Sequence, residues 1–195
     1  MATNAELTEN TRRRIIDVFW EQLLSVGLTE INVRSLMKQV GMNRSTFYEH
    51  FSSISDLLQK ASEDLMESII VEVAALADNY SSDEPAVFFG RLQGIFRDKG
   101  RRIIFMANCS EVPDFLPRYR DAIKPTVFKV FRIECEKEDE DLIMAFIMSV
   151  LMAASNNLIE VDFEKDVSSM MAKVHSMVVH GIGQYMTAEP VMKGD

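Results

Sequence analysis

The chain has 195 residues, of which 47% are hydrophobic and 26% charged, so it can bury the core of one large or two small domains. No apolar run approaches the roughly 20 residues of a membrane span, and the first residues lack an apolar signal core, so we expect a cytoplasmic protein without membrane contact. The net charge of −9 does not exclude nucleic acid, because residues 1–60 carry seven Lys/Arg and seven Asp/Glu and are neutral. We call residues 1–60 the head and residues 61–195, which carry the whole net negative charge, the body. A neutral head with a basic cluster at Arg12–Arg14 suits DNA contact by the head alone.

The apolar residues recur at spacings of three and four almost throughout, which predicts an all-α fold with about nine helices and no strands. The predicted helices span residues 8–26, 33–40, 44–50, 53–77, 85–99, 101–108, 116–135, 141–159 and 163–186. Gly27 and Gly41 are expected to end the first and second helices, and Asn32, Asn43 and Ser53 to cap the second, third and fourth. The boundaries between helices therefore rest on turn chemistry as well as on periodicity.

Two further features divide the chain. Asp78–Pro85 is the clearest linker, and Pro125 predicts a kink or break in the seventh helix near Lys124. We expect two domains, a DNA-binding domain at 1–54 and a helical effector-binding and dimerisation domain at 55–195.

The second and third predicted helices are each about two turns long and are joined by the tight turn "GMN". Two short helices joined in this way form a helix-turn-helix unit, whose second helix enters the major groove of DNA. Phe47 and Phe51 are four residues apart and are expected to share the buried face of that helix. Its polar residues are then left to face outward.

The stretch "TRRRIIDVFWEQLLSVGLTEINVRSLMKQVGMNRSTFYEHFSSISDLL" resembles the N-terminal domain of the tetracycline-repressor (TetR) family of bacterial transcription regulators. The resemblance covers roughly residues 8–60 and is carried above all by the block from Gly41 to Phe51. Two positions depart from the family pattern. Met37 stands where alanine is usual, which predicts a slightly different packing of the second and third helices, and Ile54 stands where lysine is common, which removes one phosphate contact.

The candidate DNA contacts are basic, polar and aromatic residues of the head. They are Arg12, Arg13, Arg14, Asn32, Arg34, Asn43, Arg44, Ser45, Thr46, Tyr48, His50 and Ser53. For Arg12–Arg14 we favour phosphate contact or minor-groove reach over a solvated helix start. For Arg34 a phosphate clamp and a solvated side chain are equally consistent with the sequence.

The helix predicted at 141–159 is apolar nearly all round, which indicates burial on several sides. The resemblance implies that this helix and the one at 163–186 meet a second copy as a four-helix bundle, giving a homodimer. The resemblance also implies a cavity for a small, mostly apolar effector in the second domain. Its candidate lining residues are Met66, Phe88, Phe96, Phe105, Asn108, Tyr119, Phe128 and Asn156. Each apolar member of this set, taken singly, is more consistent with ordinary core.

No catalytic triad, glycine-rich phosphate loop or paired-cysteine motif is present, so we expect neither an enzyme nor a cofactor. His175 and His180 are five residues apart and do not share a helix face, so no metal site is expected. Cys109 and Cys135 are interpreted as ordinary thiols of a reducing compartment.

The sequence thus predicts a TetR-like regulator, a repressor that binds a palindromic double-stranded DNA operator as a dimer and is released by its ligand. Two alternatives stay open. One is a helical small-molecule-binding protein or enzyme whose helix-turn-helix does not bind DNA, and the other is a regulator controlled by a protein partner.

Overall fold

A computed structural model of the chain describes residues 4–78 and 85–160, together with residues 176, 177, 180 and 181. The helices are α1 (Asn4–Val26), α2 (Val33–Val40), α3 (Arg44–His50), α4 (Ile54–Asp78), α5 (Pro85–Ala107), α6 (Phe115–Phe131) and α7 (Glu140–Glu160). A short 3-10 helix, Leu28–Glu30, follows α1. No strand occurs in this part of the chain, so the predicted all-α class is confirmed there.

The predicted number of nine helices is not matched, because the described residues form seven. The helices predicted at 85–99 and 101–108 are one continuous helix, α5. The helix predicted at 163–186 lies outside the described residues, apart from four residues that are helical.

Helix α5 continues through Gly100, where the sequence predicted a break. Ile95, Ile103 and Met106 are all buried, and their spacings of eight and three place them on one face of a single helix. A glycine inside a helix costs only about 1 kcal/mol relative to alanine. Burial of this continuous apolar face outweighs that cost.

Helix α6 likewise runs through Pro125. A proline removes one backbone hydrogen bond, but the buried side chains of Ile123 and Val127 lie on both sides of it. The helix ends at Phe131 rather than at residue 135, because Arg132 adopts the left-handed conformation with φ 51°. The N–H of Ile133 then donates to the carbonyl of Phe128 at 3.0 Å, which is a typical helix C-terminal motif.

The described residues fall into two compact units. One contains the residues up to Leu65 together with Cys109–Val112, and the other contains Met66–Asn108 and the residues from Pro113 onward. The division between Leu65 and Met66 lies within α4.

In the first unit α1 packs on α2, and α2 packs on α3. The core that they enclose consists of large aromatic and aliphatic side chains that are almost fully buried. These are Ile15, Phe19, Trp20, Leu23, Leu36, Met37, Val40, Phe47, Phe51, Leu57 and Leu58. Met37, which stands where the family usually has alanine, is one of them. In the second unit α5 contacts both α6 and α7.

Two glycines shape the connections of the first unit. Gly27 has φ 81° and ψ 164°, and Gly41 has φ 77° and ψ 30°, so both have backbone conformations that L side chains rarely adopt. The N–H of Gly41 reaches the carbonyls of Met37 and Lys38, which closes α2 and turns the chain into α3. The predicted glycine stops at both positions are confirmed.

Candidate nucleic-acid interface

Helix α3 has an aromatic inner face and a polar outer face. Phe47 and Phe51 are buried, with ring centroids 5.6 Å apart. Tyr48 is 54% exposed, and the Phe47 and Tyr48 rings meet edge to face with centroids 5.4 Å apart. The helix is therefore anchored through its phenylalanines, and Tyr48 is presented to solvent.

The other candidates on α3 also lie at its surface. Arg44 and Ser45, in the first turn, are exposed, and Thr46 and His50 are half-buried. The outer face of α3 thus offers a guanidinium, hydroxyls and an aromatic ring within two helical turns. These groups suit hydrogen bonds to base edges and phosphates.

The expected caps differ in how they act. The side chain of Asn32 accepts a hydrogen bond from the N–H of Ser35 at 3.0 Å and so caps α2. Ser53 Oγ accepts from the N–H of Asp56 at 3.0 Å and caps α4. Asn43 occupies the N-cap position of α3, but its side chain makes no capping hydrogen bond, so the prediction that it caps this helix is wrong in that respect. The Asn43 side chain is exposed.

The arginine triplet of α1 does not act as one group. The Arg12 guanidinium is 2.8 Å from a carboxylate oxygen of Asp64 and 3.7 Å from Glu9, and its side chain is only 25% exposed. The hydrogen bond to Asp64 raises the pKa of Arg12 above its usual value. Arg13 Nε donates to Glu9 at 2.9 Å on the exposed surface. Arg12 is therefore engaged within the protein, between α1 and α4.

Arg14, Arg34 and Arg44 are exposed and form no ion pair with another described residue. Arg14 is placed beside the turn of the helix-turn-helix, since a Cβ built on Gly41 would lie 3.8 Å from its Nη2 atom. The predicted set thus divides into exposed cations at the turn and on α2 and α3, and the engaged Arg12.

The junction between α3 and α4 is held by a small polar network. Asp56 accepts a hydrogen bond from the N–H of Ser52 at 2.7 Å, and this bond lowers the pKa of Asp56 below its usual value. Lys60, one turn further along α4, donates to the same carboxylate at 3.3 Å and to the main-chain oxygen of His50 at 3.2 Å. The C-terminus of α3 is thereby tied to α4.

Two residues of this region were not among the sequence-predicted candidates. Glu49 is exposed on α3 and lies four residues after Ser45, on the same face. Its position in the helix was readable from the sequence. Lys60 was not recognisable in that way, because its contact with α3 depends on the fold of the α3–α4 junction.

The candidate ligand residues of the second unit are spread over several environments. Met66 and Tyr119 are buried, Phe105 and Phe128 are half-buried, and Asn108 is exposed. The side chains of Phe88, Phe96 and Asn156 lie outside the described part. The Asn108 amide donates to the carbonyl of Ile104 at 2.8 Å, so it satisfies a carbonyl at the C-terminal end of α5.

Tyr119 is the most enclosed polar side chain among the candidates whose side chains the structure describes. Its ring stacks on Phe115 with an interplanar angle of 2° and centroids 6.2 Å apart. Burial raises the pKa of Tyr119 to about 12, so its hydroxyl stays protonated at neutral pH. A protonated phenol in an apolar setting can donate one hydrogen bond.

Among the described residues, no three His, Cys, Asp or Glu side chains come together as metal ligands. No described helix is long and apolar enough to cross a membrane.

No family model and no curated protein matches this chain. Among solved structures, the fatty acid degradation regulator FadR from Bacillus halodurans superimposes with a TM-score of 0.71 at 14% identity, over 88% of this chain and 96% of that one. FadR from Bacillus subtilis, solved in complex with stearoyl-CoA, gives 0.69 at 17% identity, over 87% and 98%.

A TetR transcriptional regulator from Streptococcus agalactiae 2603V is similar with a TM-score of 0.62 at 19% identity, over 88% of this chain and 95% of that one. These likenesses extend beyond residues 8–60, which carried the sequence resemblance, and include most of the second unit. The chain therefore has the fold of the TetR-type transcription regulators.

Proposed function

We propose that this protein is a repressor that binds a palindromic DNA operator as a homodimer and is released by a small, mostly apolar effector. The observation that carries the proposal is the helix-turn-helix itself. Helix α3 is fastened through the buried Phe47 and Phe51 and presents Tyr48 with the first-turn residues Arg44 and Ser45 to solvent. A short helix anchored on one side and polar on the other suits insertion into the major groove.

The proposed contacts follow from exposure. Arg44, Ser45, Thr46 and Tyr48 face base edges and nearby phosphates. A second group at the margins of α3 clamps the phosphate backbone. This second group is Arg14, Asn32, Arg34, Asn43, His50 and Ser53, with Arg13 taking part when it leaves Glu9. Arg12 is assigned to the partly buried contact with Asp64 and not to DNA.

The dimer is proposed to form through α7 and the chain segment around residues 176–181. Leu142, Phe146 and Met177 are large apolar side chains that are 69%, 37% and 58% exposed. A Cβ on Gly181 would collide with the Phe146 ring, so Phe146 and Gly181 approach closely within one chain. Apolar side chains grouped on such a surface favour association with a second copy. Two heads are needed to read two half-sites of a palindrome.

The effector is proposed to lie among the apolar side chains of the second unit, with Met66, Phe105, Tyr119 and Phe128 as lining candidates. The stearoyl-CoA complex of one similar structure supports testing an acyl thioester first. Stearoyl-CoA is expected to raise the melting temperature and to weaken DNA binding, because a ligand that prefers one state shifts the equilibrium toward it. Coenzyme A without the acyl chain is the control and should do neither.

The DNA-binding proposal is tested by mobility shift with the duplex upstream of the protein's own gene and with duplexes enriched from a random library by the wild type. Tyr48→Ala should weaken binding at least about tenfold, as expected for a residue in the centre of an interface. Val71→Ala, which trims an exposed side chain on α4 of the second unit, should leave binding unchanged. Equal binding by wild type and Tyr48→Ala would contradict the assignment of α3. Ligand binding without any salt-dependent DNA affinity would instead favour the helical small-molecule-binding protein.

A further inference from the structure

Lys60 lies in the first unit on α4, and its ammonium group lies at the end of α3. Its Nζ atom is 3.2 Å from the main-chain oxygen of His50, 3.3 Å from Asp56 Oδ2, and 5.4 Å from the centre of the Phe51 ring. Three different kinds of group therefore contact one cation: a carbonyl, a carboxylate and an aromatic face. The side chain is 39% exposed, so these contacts form at the edge of the head and not in its core.

Helix α3 has only seven residues, and the carbonyls of its last turn have no partners within the helix beyond the bond from the N–H of Phe51 to Phe47 at 2.8 Å. A helix this short is not stable by itself. A cation at its C-terminus is favourable because it meets both a carbonyl and the negative end of the helix dipole. Lys60 supplies this cation from α4.

The Lys60 ammonium is oriented as well as attracted. Asp56 accepts hydrogen bonds from both Lys60 and the N–H of Ser52, so the carboxylate links the cation to the backbone between the two helices. The ring of Phe51, which is buried and adjoins Phe47, provides the third side. Movement of the C-terminal turn of α3 would break the contact with His50 and separate Lys60 from this set.

We propose that Lys60 is a positioning residue for DNA recognition, which restrains the C-terminal turn of α3 and so sets the angle at which α3 presents Tyr48 and Arg44. This inference rests on the proposed DNA binding. It assigns Lys60 no contact with phosphate, because the ammonium group already donates hydrogen bonds to His50 and Asp56.

The experiment compares Lys60→Met, Lys60→Arg and the charge-matched control Lys137→Met, which changes an exposed lysine in the loop before α7. Affinity for the enriched duplex is measured at several salt concentrations. Trp20, the only tryptophan and a buried residue of the first unit, reports by fluorescence that the head of each variant is folded. Hydrogen exchange at the Phe51 amide reports the last turn of α3 without DNA.

Lys60→Met is expected to bind the enriched duplex about fivefold to tenfold more weakly, with an unchanged slope of log affinity against log salt concentration. Hydrogen exchange at its Phe51 amide should be about fivefold faster, because the last turn of α3 has lost its cation. Lys60→Arg should restore both values to within about twofold, because a guanidinium can reach the same carbonyl. Lys137→Met should match the wild type in both.

Three results overturn the inference. A salt slope that falls by about one in Lys60→Met makes Lys60 a phosphate ligand. Wild-type affinity with wild-type exchange shows that the restraint has no effect. Weakened DNA binding by Lys60→Met with wild-type hydrogen exchange at the Phe51 amide also rules out the positioning role, because α3 is then not loosened. If no variant, the wild type included, binds DNA, the proposed function fails, and the exchange measurement still decides whether Lys60 restrains α3.

Discussion

At the scale of single residues, the arginines of the head differ in whether they are paired within the protein. Arg12 and Arg14 are two positions apart on α1, yet one lies against Asp64 and the other is exposed beside Gly41. A guanidinium that is already paired has to lose its partner before it can bind a phosphate, whereas an exposed one does not. Position in a basic run is thus a weaker guide to DNA contact than pairing.

This difference gives a prediction for Arg12→Met and Arg14→Met. Arg12→Met should lower the stability of the head by about 0.5–1 kcal/mol, as for a partly exposed ion pair, and leave the salt slope of DNA binding unchanged. Arg14→Met should reduce that slope by about one and leave stability unchanged. Trp20 fluorescence in denaturant and DNA titrations in salt measure the two effects.

Asp64→Asn supplies the control for this assignment. The double variant Arg12→Met/Asp64→Asn should lose less stability than the sum of the losses of the two single variants, because both substitutions remove the same interaction. If Arg12→Met lowers the slope of log DNA affinity against log salt concentration, Arg12 contacts a phosphate after all.

Glu49 is the acidic residue on the proposed DNA-reading face of α3. Replacing it by glutamine removes a negative charge near the phosphates and should strengthen binding to a random-sequence duplex about twofold, the size expected for one charge near a solvated surface. Glu138→Gln, in an exposed loop of the second unit, should have no such effect. Unchanged affinity of Glu49→Gln for the random duplex would place this carboxylate away from the DNA.

At the scale of elements, α2 and α3 have only eight and seven residues, so the connections at their ends decide their geometry. The two positive-φ glycines have different conformations: Gly41 is in the left-handed helical region, and Gly27 combines φ 81° with ψ 164°. Asparagine tolerates the first region, but the second is essentially restricted to glycine. A Cβ would meet no close atom at either position, so any cost is conformational.

The prediction is a contrast between two pairs of variants. Gly41→Ala should lower the free energy of unfolding by about 1 kcal/mol, and Gly41→Asn by less. Gly27→Ala and Gly27→Asn should each lower it by about 1–3 kcal/mol. Denaturation followed by Trp20 fluorescence measures all four. A Gly27→Asn variant as stable as Gly41→Asn would mean that the 3-10 helix after α1 rearranges.

At the scale of the whole molecule, an operator with two half-sites requires two heads in one assembly, so dimerisation and DNA affinity are linked. Each chain has a mass of 22.2 kDa. The apolar surface that contains Leu142, Phe146 and Met177 is the proposed contact between the copies.

Leu142→Glu places a charge in this surface and should convert the dimer to a monomer, because an unpaired buried charge is strongly unfavourable. Light scattering after gel filtration measures the mass, and the mobility shift should weaken in parallel. Val71→Glu is the matched control, since it introduces the same charge at a residue that is 61% exposed on α4. A wild type that is monomeric at all concentrations, or a Leu142→Glu variant that remains dimeric, would contradict the proposed contact.

Much of the head was predictable because its signals are local. The bounds of α2 and α3 agree with the prediction, since each helix is short, starts after a polar cap position and ends at a glycine or an extended residue. The inward position of Phe47 and Phe51 followed from their spacing of four. The division of the basic run was not predictable, because Arg12 and Asp64 are 52 residues apart in the chain.

The sequence by itself determined the all-α class, the helix-turn-helix and the family likeness, because periodicity, caps and glycines act over a few residues. The tertiary structure decided the rest: α5 and α6 continue through Gly100 and Pro125, Arg12 pairs with Asp64, and Lys60 reaches the end of α3. The physical reason is range. Burial of a long apolar face outweighs a local helix breaker, and the partner of a charged group is chosen by chain folding, which sequence spacing does not reveal.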